Sequence, residues 1–203
     1  GSYKMNLAIL ASGSGSNFQA LVDAQKKGYF KAKIKLLITD KEKAFVRKRA
    51  DKFKIKHVFI DPKKFKSRVS FDKEVVKVLR REKIDFILLA GFMRIISPYF
   101  VRSYKNKIIN IHPALLPLFK GTDAIKRALN SGAKATGVTV HFVDEKIDNG
   151  PIILQESIKI KANTKLKDLE KKIHSLEHKL YPQAVKLLLE KKVKIRGGKV
   201  SIF

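Results

Sequence analysis

The sequence predicts an α/β protein, and three observations carry that prediction. Apolar, strand-like runs alternate with stretches of helical spacing, the mark of βαβ units and a mainly parallel sheet. A Gly/Ser-rich turn follows the first such run directly, as in α/β folds that bind ligands at the carboxyl ends of their strands. Beyond residue 113 the pattern changes to two longer runs that read as an antiparallel pair. The expected architecture is a single-domain, Rossmann-like twisted sheet with helices on both faces and an antiparallel C-terminal portion.

Each element has its own local reason. Residues 5–11 are apolar apart from Asn6 and end at Ser12-Gly13, which fits a buried first strand. Residues 17–27 place Phe18, Leu21, Val22 and Gln25 on one side of a helix. Residues 34–39 form a second strand ending at Asp40, 43–53 a basic helix, and 57–60 a short third strand. In 70–82, Phe71, Val75, Val78 and Leu79 recur at helical spacing. Residues 86–90 are apolar throughout, as a central strand requires, and 108–111 repeat the pattern. Pro113, Pro117 and Gly121 mark an irregular loop, followed by a short helix over 123–130. Strands over 136–143 and 152–160 precede a long helix, which Asn163 or Thr164 can cap and Pro182 should kink. Residues 193–195 and 199–202 around Gly197-Gly198 read as a terminal hairpin.

The chain has 203 residues, enough to bury about 70% of its unfolded surface without a staple. With no repeat and no low-complexity linker, residues 1–203 are expected to form one domain; Gly1-Ser2 reads as a cloning remnant. The absence of cysteine excludes a disulfide framework, a thiolate metal site and a cysteine nucleophile. It is compatible with a reducing cytoplasm, the expected location. No apolar run approaches the roughly 20 residues of a membrane span, and no signal pattern is present. Lys and Arg number 45 against 18 Asp and Glu, a net charge of +27. Such a surface attracts anions. The basic pairs are dispersed, there is no Trp, and no basic-aromatic repeat suits base stacking, so nucleic acid is not the expected partner.

Two clusters carry chemistry. The run Ser12-Gly13-Ser14-Gly15-Ser16-Asn17 lies between a strand and a helix. There, glycines let the backbone approach an anion while amide groups and the helix end face it. It lacks the ending of a nucleotide-triphosphate loop, and Phe18 stands where a dinucleotide fingerprint needs its third glycine. Asp40 could still hold a ribose, which keeps a nicotinamide alternative open. The bland alternative is a tight turn with a good cap. The second cluster is Asn110-Ile111-His112-Pro113 together with Asp148-Asn149-Gly150-Pro151. Asn110 and His112 are two apart where a buried strand ends, so both can face one cleft. An amide can donate to a developing oxyanion, an imidazole can move protons near neutral pH, and a carboxylate beside it favours the imidazolium. Taken singly, each of these residues is more often structural. His57, His174 and His178 have only the structural reading; His141 is core or a pocket wall.

Five stretches resemble the phosphoribosylglycinamide formyltransferase family of purine synthesis, in order and spanning residues 5 to about 190. They are Ala11-Ser-Gly-Ser-Gly-Ser-Asn17, Leu89-Ala-Gly-Phe-Met-Arg-Ile95, Asn110-Ile-His-Pro-Ala-Leu-Leu-Pro117, Gly137-Val-Thr-Val-His-Phe-Val143 and Asp148-Asn-Gly-Pro-Ile152. The resemblance implies transfer of formyl from 10-formyltetrahydrofolate, acting as co-substrate, to the amine of phosphoribosylglycinamide, with Asn110, His112 and Asp148 catalytic. It implies that Gly13, Ser14, Gly15, Ser16 and Asn17 hold the substrate phosphate and that Glu177 bonds its sugar. Arg68, Met93, Arg94, Ile95, Ile96, Asn110, Asp144 and Asp148 are implied on the folate side. No metal is required, no membrane is involved, and the expected state is monomer or homodimer. Ala114 and the segment 118–124 depart from the family pattern. Methionyl-tRNA formyltransferase, which suits the charge, is expected to need a further C-terminal domain. Formyltetrahydrofolate deformylase is expected to carry an extra N-terminal one. A nucleic-acid binder without enzymatic activity is the remaining alternative, marked by salt-dependent oligonucleotide binding.

Overall fold

A computed structural model describes residues 5–203; the expected cloning remnant lies outside them. The chain is α/β, with a seven-stranded, mainly parallel sheet and a separate two-stranded hairpin. It divides into two compact units, residues 1–110 and 111–203.

In the first unit β1 (Asn6–Leu10) leads through a turn into α1 (Ser16–Lys26), and β2 (Lys33–Thr39) follows. Then come α2 (Val46–Lys52), β3 (Lys56–Phe59), a short 3₁₀ turn at Pro62–Lys64, α3 (Arg68–Arg81), β4 (Phe86–Leu89) and α4 (Pro98–Ser103). β5 (Ile108–His112) runs across the boundary into the second unit. The strand order is β3-β2-β1-β4-β5, with parallel pairing throughout. β1 thus has β2 on one side and β4 on the other. The strand order reverses there, and such a switch point opens a crevice beyond the carboxyl ends of the strands. The core is the apolar strand set, with Leu7, Ile9, Leu36, Leu37, Ile87 and Leu88 fully buried, together with the equally buried Phe18, Leu21, Phe71, Val75 and Leu79 of α1 and α3. Full burial of each such side chain contributes about 1.5–3 kcal/mol.

Three local readings change. α2 starts at Val46 rather than Lys43, because the Val46 amide is drawn to the Gly13 carbonyl (3.1 Å). α3 starts at Arg68, ahead of the expected residue, because Ser67 and Ser70 form a reciprocal capping box. α4 was not expected, although Ser97 caps it and Pro98 fills its first turn, a sound start signal on a helix too short to show periodicity.

The second unit contains α5 (Ala124–Asn130), β6 (Ala135–Phe142), β7 (Ile152–Lys159), α6 (Leu166–Leu189), and the hairpin β8 (Val193–Arg196) and β9 (Lys199–Ile202). β6 and β7 pair antiparallel, as expected, with a register shift between Val140 and His141. α6 is continuous through Pro182 and buries Leu169, Ile173, Leu176, Leu180 and Ala184. Its cap is Lys165, without a side-chain bond. Thr164 instead turns back to donate its hydroxyl to the Lys161 carbonyl, the local competition that such residues offer a helix.

Candidate active site

The first unit places the Gly/Ser turn at the switch point. Ser12 is buried; its amide donates to the Gly91 carbonyl (3.0 Å) and its hydroxyl to Asp40 Oδ1 (2.6 Å). The same hydroxyl accepts the Met93 amide (2.8 Å). The turns after β1 and β4 are thereby tied together. Asp40 is committed to this bond and only 4% exposed, which removes the carboxylate that the nicotinamide alternative requires. Gly15 caps α1 at φ 79° with no side-chain cap, so the orphan amides of the first turn remain for another acceptor. A Cβ at Gly15 would run into Val46.

The segment after β4 carries Met93 (72% exposed) and Ile95 (46% exposed), two large apolar side chains left facing solvent. Ile96 is half-buried between them and buried Ser97. The Arg94 guanidinium lies over the Phe71 ring (4.2 Å). Asp72 is buried and accepts the Ser97 amide (2.6 Å). Burial pushes the Asp72 carboxyl up, while the Ser97 hydrogen bonds, Arg94 and Arg68 pull it down. Arg68, exposed at the start of α3, therefore shares the electrostatic surroundings of Arg94.

Asn110 and His112 stand two apart on β5, Asn110 half-buried and His112 6% exposed. Asp148 lies in the loop between β6 and β7 and meets His112 within the second unit, with Oδ2 3.6 Å from Nδ1. Two backbone groups fix the pair. The Gly121 amide donates to the same Asp148 oxygen (2.7 Å), and His112 Nε2 lies 2.8 Å from the Phe119 carbonyl. A carbonyl only accepts, so Nε2 carries the proton, and Nδ1 is the nitrogen free to gain or lose one facing Asp148. Phe119 (φ 54°) and Asp148 (φ 49°) both occupy the left-handed region, which costs a non-glycine residue about 1–2 kcal/mol. Arg127 holds the loop in this shape, donating to the Thr122 carbonyl (2.9 Å) and to that of Lys120. Such local strain, stabilised from outside, is a common property of reactive sites.

His141 is buried beside this pair. Burial holds its imidazole below the ordinary range, and its Nδ1 donates to the Phe142 carbonyl (2.8 Å). Thr139 ties the 113–117 loop to β6, donating to the Ala114 carbonyl (2.7 Å) and accepting the Leu116 amide (3.2 Å). Asp144 orders the loop before Asp148, accepting from the Lys146 amide (2.8 Å) and Asn149 Nδ2 (2.9 Å). Glu177 is buried in α6 and accepts from His174 Nδ1 (2.7 Å), which holds that imidazole above its ordinary range.

The structure therefore joins His112 to Asp148. The Gly13–Asn17 turn, Arg68 and residues 93–96 belong to the first unit, Glu177 to the second. The groups missed from sequence are the Phe119 carbonyl and the Gly121 amide. Backbone groups carry no residue signature, and Gly121 itself was the one available hint.

The formyl transferase family matches over residues 5–185. The chain belongs to the formyl transferase family. Within it, the chain is 44% identical over 182 residues to the phosphoribosylglycinamide formyltransferase of Bacillus subtilis (strain 168), covering 90% of this chain and 93% of that protein. It is 40% identical over 198 residues to the human trifunctional purine biosynthetic protein adenosine-3, covering 97% of this chain and 20% of that one. The crystal structure of glycinamide ribonucleotide transformylase 1 from Symbiobacterium toebii superposes with a TM-score of 0.96 at 36% identity, covering 98% of this chain and 94% of that chain.

Proposed function

We propose that this formyl transferase moves the formyl group of 10-formyltetrahydrofolate to the primary amine of 5-phosphoribosylglycinamide, a step of purine synthesis, with Asn110, His112 and Asp148 as the reacting set. Residues 1–203 act as one formyltransferase domain in this reading, at work in the cytoplasm as a monomer or homodimer on small molecules rather than nucleic acid. The observation that carries the assignment of roles is the His112–Asp148 pair, held at 3.6 Å by backbone groups of two left-handed residues. The relatives named for this reaction support it.

The amine nitrogen attacks the formyl carbon, and a tetrahedral intermediate forms. The new C–N bond replaces the bond from that carbon to folate N10. One proton leaves the attacking amine and one reaches N10, so the exchange needs a carrier and no net acid or base. His112 is the carrier, with Asp148 stabilising the imidazolium that forms in transit. The separation exceeds a direct hydrogen bond, and such distances tighten when substrate binds. The Asn110 amide donates to the intermediate's oxygen; loss of one donor of this kind typically costs ~10²–10³ in rate. No metal and no covalent enzyme intermediate enter these steps.

The amides and hydroxyls of Gly13, Ser14, Gly15, Ser16 and Asn17 hold the phosphate, and Glu177, oriented by His174, takes the sugar. Arg68, Met93, Arg94, Ile95 and Ile96 take the folate, with Asn110, Asp144 and Asp148. The test is to incubate the protein with 10-formyltetrahydrofolate and follow deformylated folate with and without the phosphorylated amine. Release that depends on the amine is expected. Release to water alone identifies a hydrolase, and none with either substrate rejects the assignment. Gly15→Ala is expected to raise KM for the amine by about tenfold or more with KM for the folate unchanged. The added methyl meets Val46 at a positive φ and displaces the turn. Kinetics unchanged by this substitution remove the phosphate cradle.

A further inference from the structure

The turn assigned above to the substrate phosphate is gripped from behind by α2, a helix to which no role has been given. The Val46 amide donates to the Gly13 carbonyl (3.1 Å). Arg49 Nε donates to the next carbonyl, that of Ser14 (2.7 Å). Its Nη1 donates to Gln19 Oε1 (3.1 Å) on α1, and Gln19 Nε2 in turn donates to Asp23 Oδ1 (3.0 Å). The face of the guanidinium rests against Phe45, 5.0 Å from the ring centroid. Arg49 thus bridges the turn and the helix that the turn caps.

Peptide geometry converts this grip into a statement about anions. Both peptide units are trans, and in a planar trans peptide the carbonyl and the following amide point in opposite directions. With the carbonyls of Gly13 and Ser14 both drawn to α2, the amides of Ser14 and Gly15 point away from it. Two successive amides aimed to one side are the concave donor arrangement that binds anions. Gly15 itself is held in the left-handed conformation that completes the turn, and its carbonyl already accepts the Gln19 amide (2.9 Å).

We propose that Arg49 is a positioning residue for the phosphate of the amine substrate: by fixing the Ser14 carbonyl from α2, it aims the Ser14 and Gly15 amides at the anion. This rests on the assignment of the turn to that phosphate. The role belongs to a fork rather than a point charge, since Nε and Nη1 must reach acceptors on two elements at once. Lysine carries all its donors on one nitrogen at the end of a flexible stem and lacks the fixed fork spacing that meets both acceptors.

Arg49→Lys and Arg49→Gln test it in the full chain, with melting temperature as the control for folding. Both are expected to raise KM for the phosphorylated amine by about tenfold, the loss of one charge-assisted hydrogen bond. For both, kcat, KM for the formyl folate and KM for the dephosphorylated amine stay within about twofold of wild type, on the scale where tenfold is one such bond. Full activity of Arg49→Lys beside an impaired Arg49→Gln overturns the proposal, because charge alone then suffices. Wild-type kinetics in both variants, or a parallel loss in every parameter, overturn it equally. If the wild-type enzyme itself fails to distinguish the phosphorylated amine from the dephosphorylated one, the assignment of the turn falls first and the proposal falls with it.

Discussion

Asp148→Asn is expected to lower kcat by about 10²–10⁴, the usual contribution of a positioned proton-transfer group, while leaving the fold intact. Asparagine suits this test for two reasons. It tolerates the left-handed backbone that Asp148 occupies (φ 49°), and its side-chain oxygen can still accept the Gly121 amide. What changes is the charge facing His112 Nδ1. In the proposed mechanism the imidazolium then loses its counter-charge at the moment it holds the travelling proton. His112→Ala removes the proposed carrier, leaves the Phe119 carbonyl without its ring partner, and is expected to cost at least as much. In the proposed mechanism the two act as one unit, so the double variant should be little worse than His112→Ala alone, as found for catalytic groups that share a step. Steady-state rates for the three variants, with thermal melts of each, measure both effects. An Asp148→Asn enzyme with wild-type turnover, or a double variant whose losses multiply, refutes the shared role.

The strands themselves and their mainly parallel pairing were legible because a buried parallel strand is largely apolar on both faces, as 34–39, 86–90 and 108–111 are; their spatial order was not. The turn after β1 was legible as a strand-to-helix connection at the switch point, and its Gly/Ser density, greater than a cap needs, is what supports the proposal that it holds an anion. Other features were set by tertiary contacts that no local pattern encodes. α2 begins where Val46 reaches Gly13, some thirty residues back in the chain, and the expected extra turn over Lys43 is surrendered to that bond. Thr164 carries the residue type of a helix cap but bonds backward to Lys161. At the site, residue types pointed to His112 and Asp148. What sets their approach is the Phe119 carbonyl and the Gly121 amide, groups that every residue except proline possesses in full. The positive φ of Phe119 is the least legible feature, since an aromatic residue is a poor candidate for it and Arg127 imposes it from α5.

Gly150→Ala is expected to damage stability and activity together, through a collision with backbone rather than with a side chain. A Cβ at this position would overlap the Phe142 carbonyl and crowd the Asp144 amide. A side chain could swing aside, but these are backbone atoms at and just beyond the end of β6, and the neighbouring Pro151 carbonyl accepts the Phe142 amide (2.8 Å). Relief therefore requires separating the two chain segments at the mouth of the β6–β7 pair. Overpacking of this kind costs about 1–3 kcal/mol. At about 2–4 °C per kcal/mol for a chain of this size, the melting temperature should fall by roughly 2–12 °C. Activity should fall further than stability alone explains, because the displaced backbone leads through Asn149 directly to Asp148. Gly132→Ala is the matched control: its φ is also positive (74°), but no atom lies within 4 Å of the added methyl. It should lose only about 1–2 kcal/mol to backbone strain and keep its kcat. Should Gly150→Ala behave like Gly132→Ala, with kcat preserved, the close approach of the 142–144 backbone has no part in placing the Asp148 carboxylate.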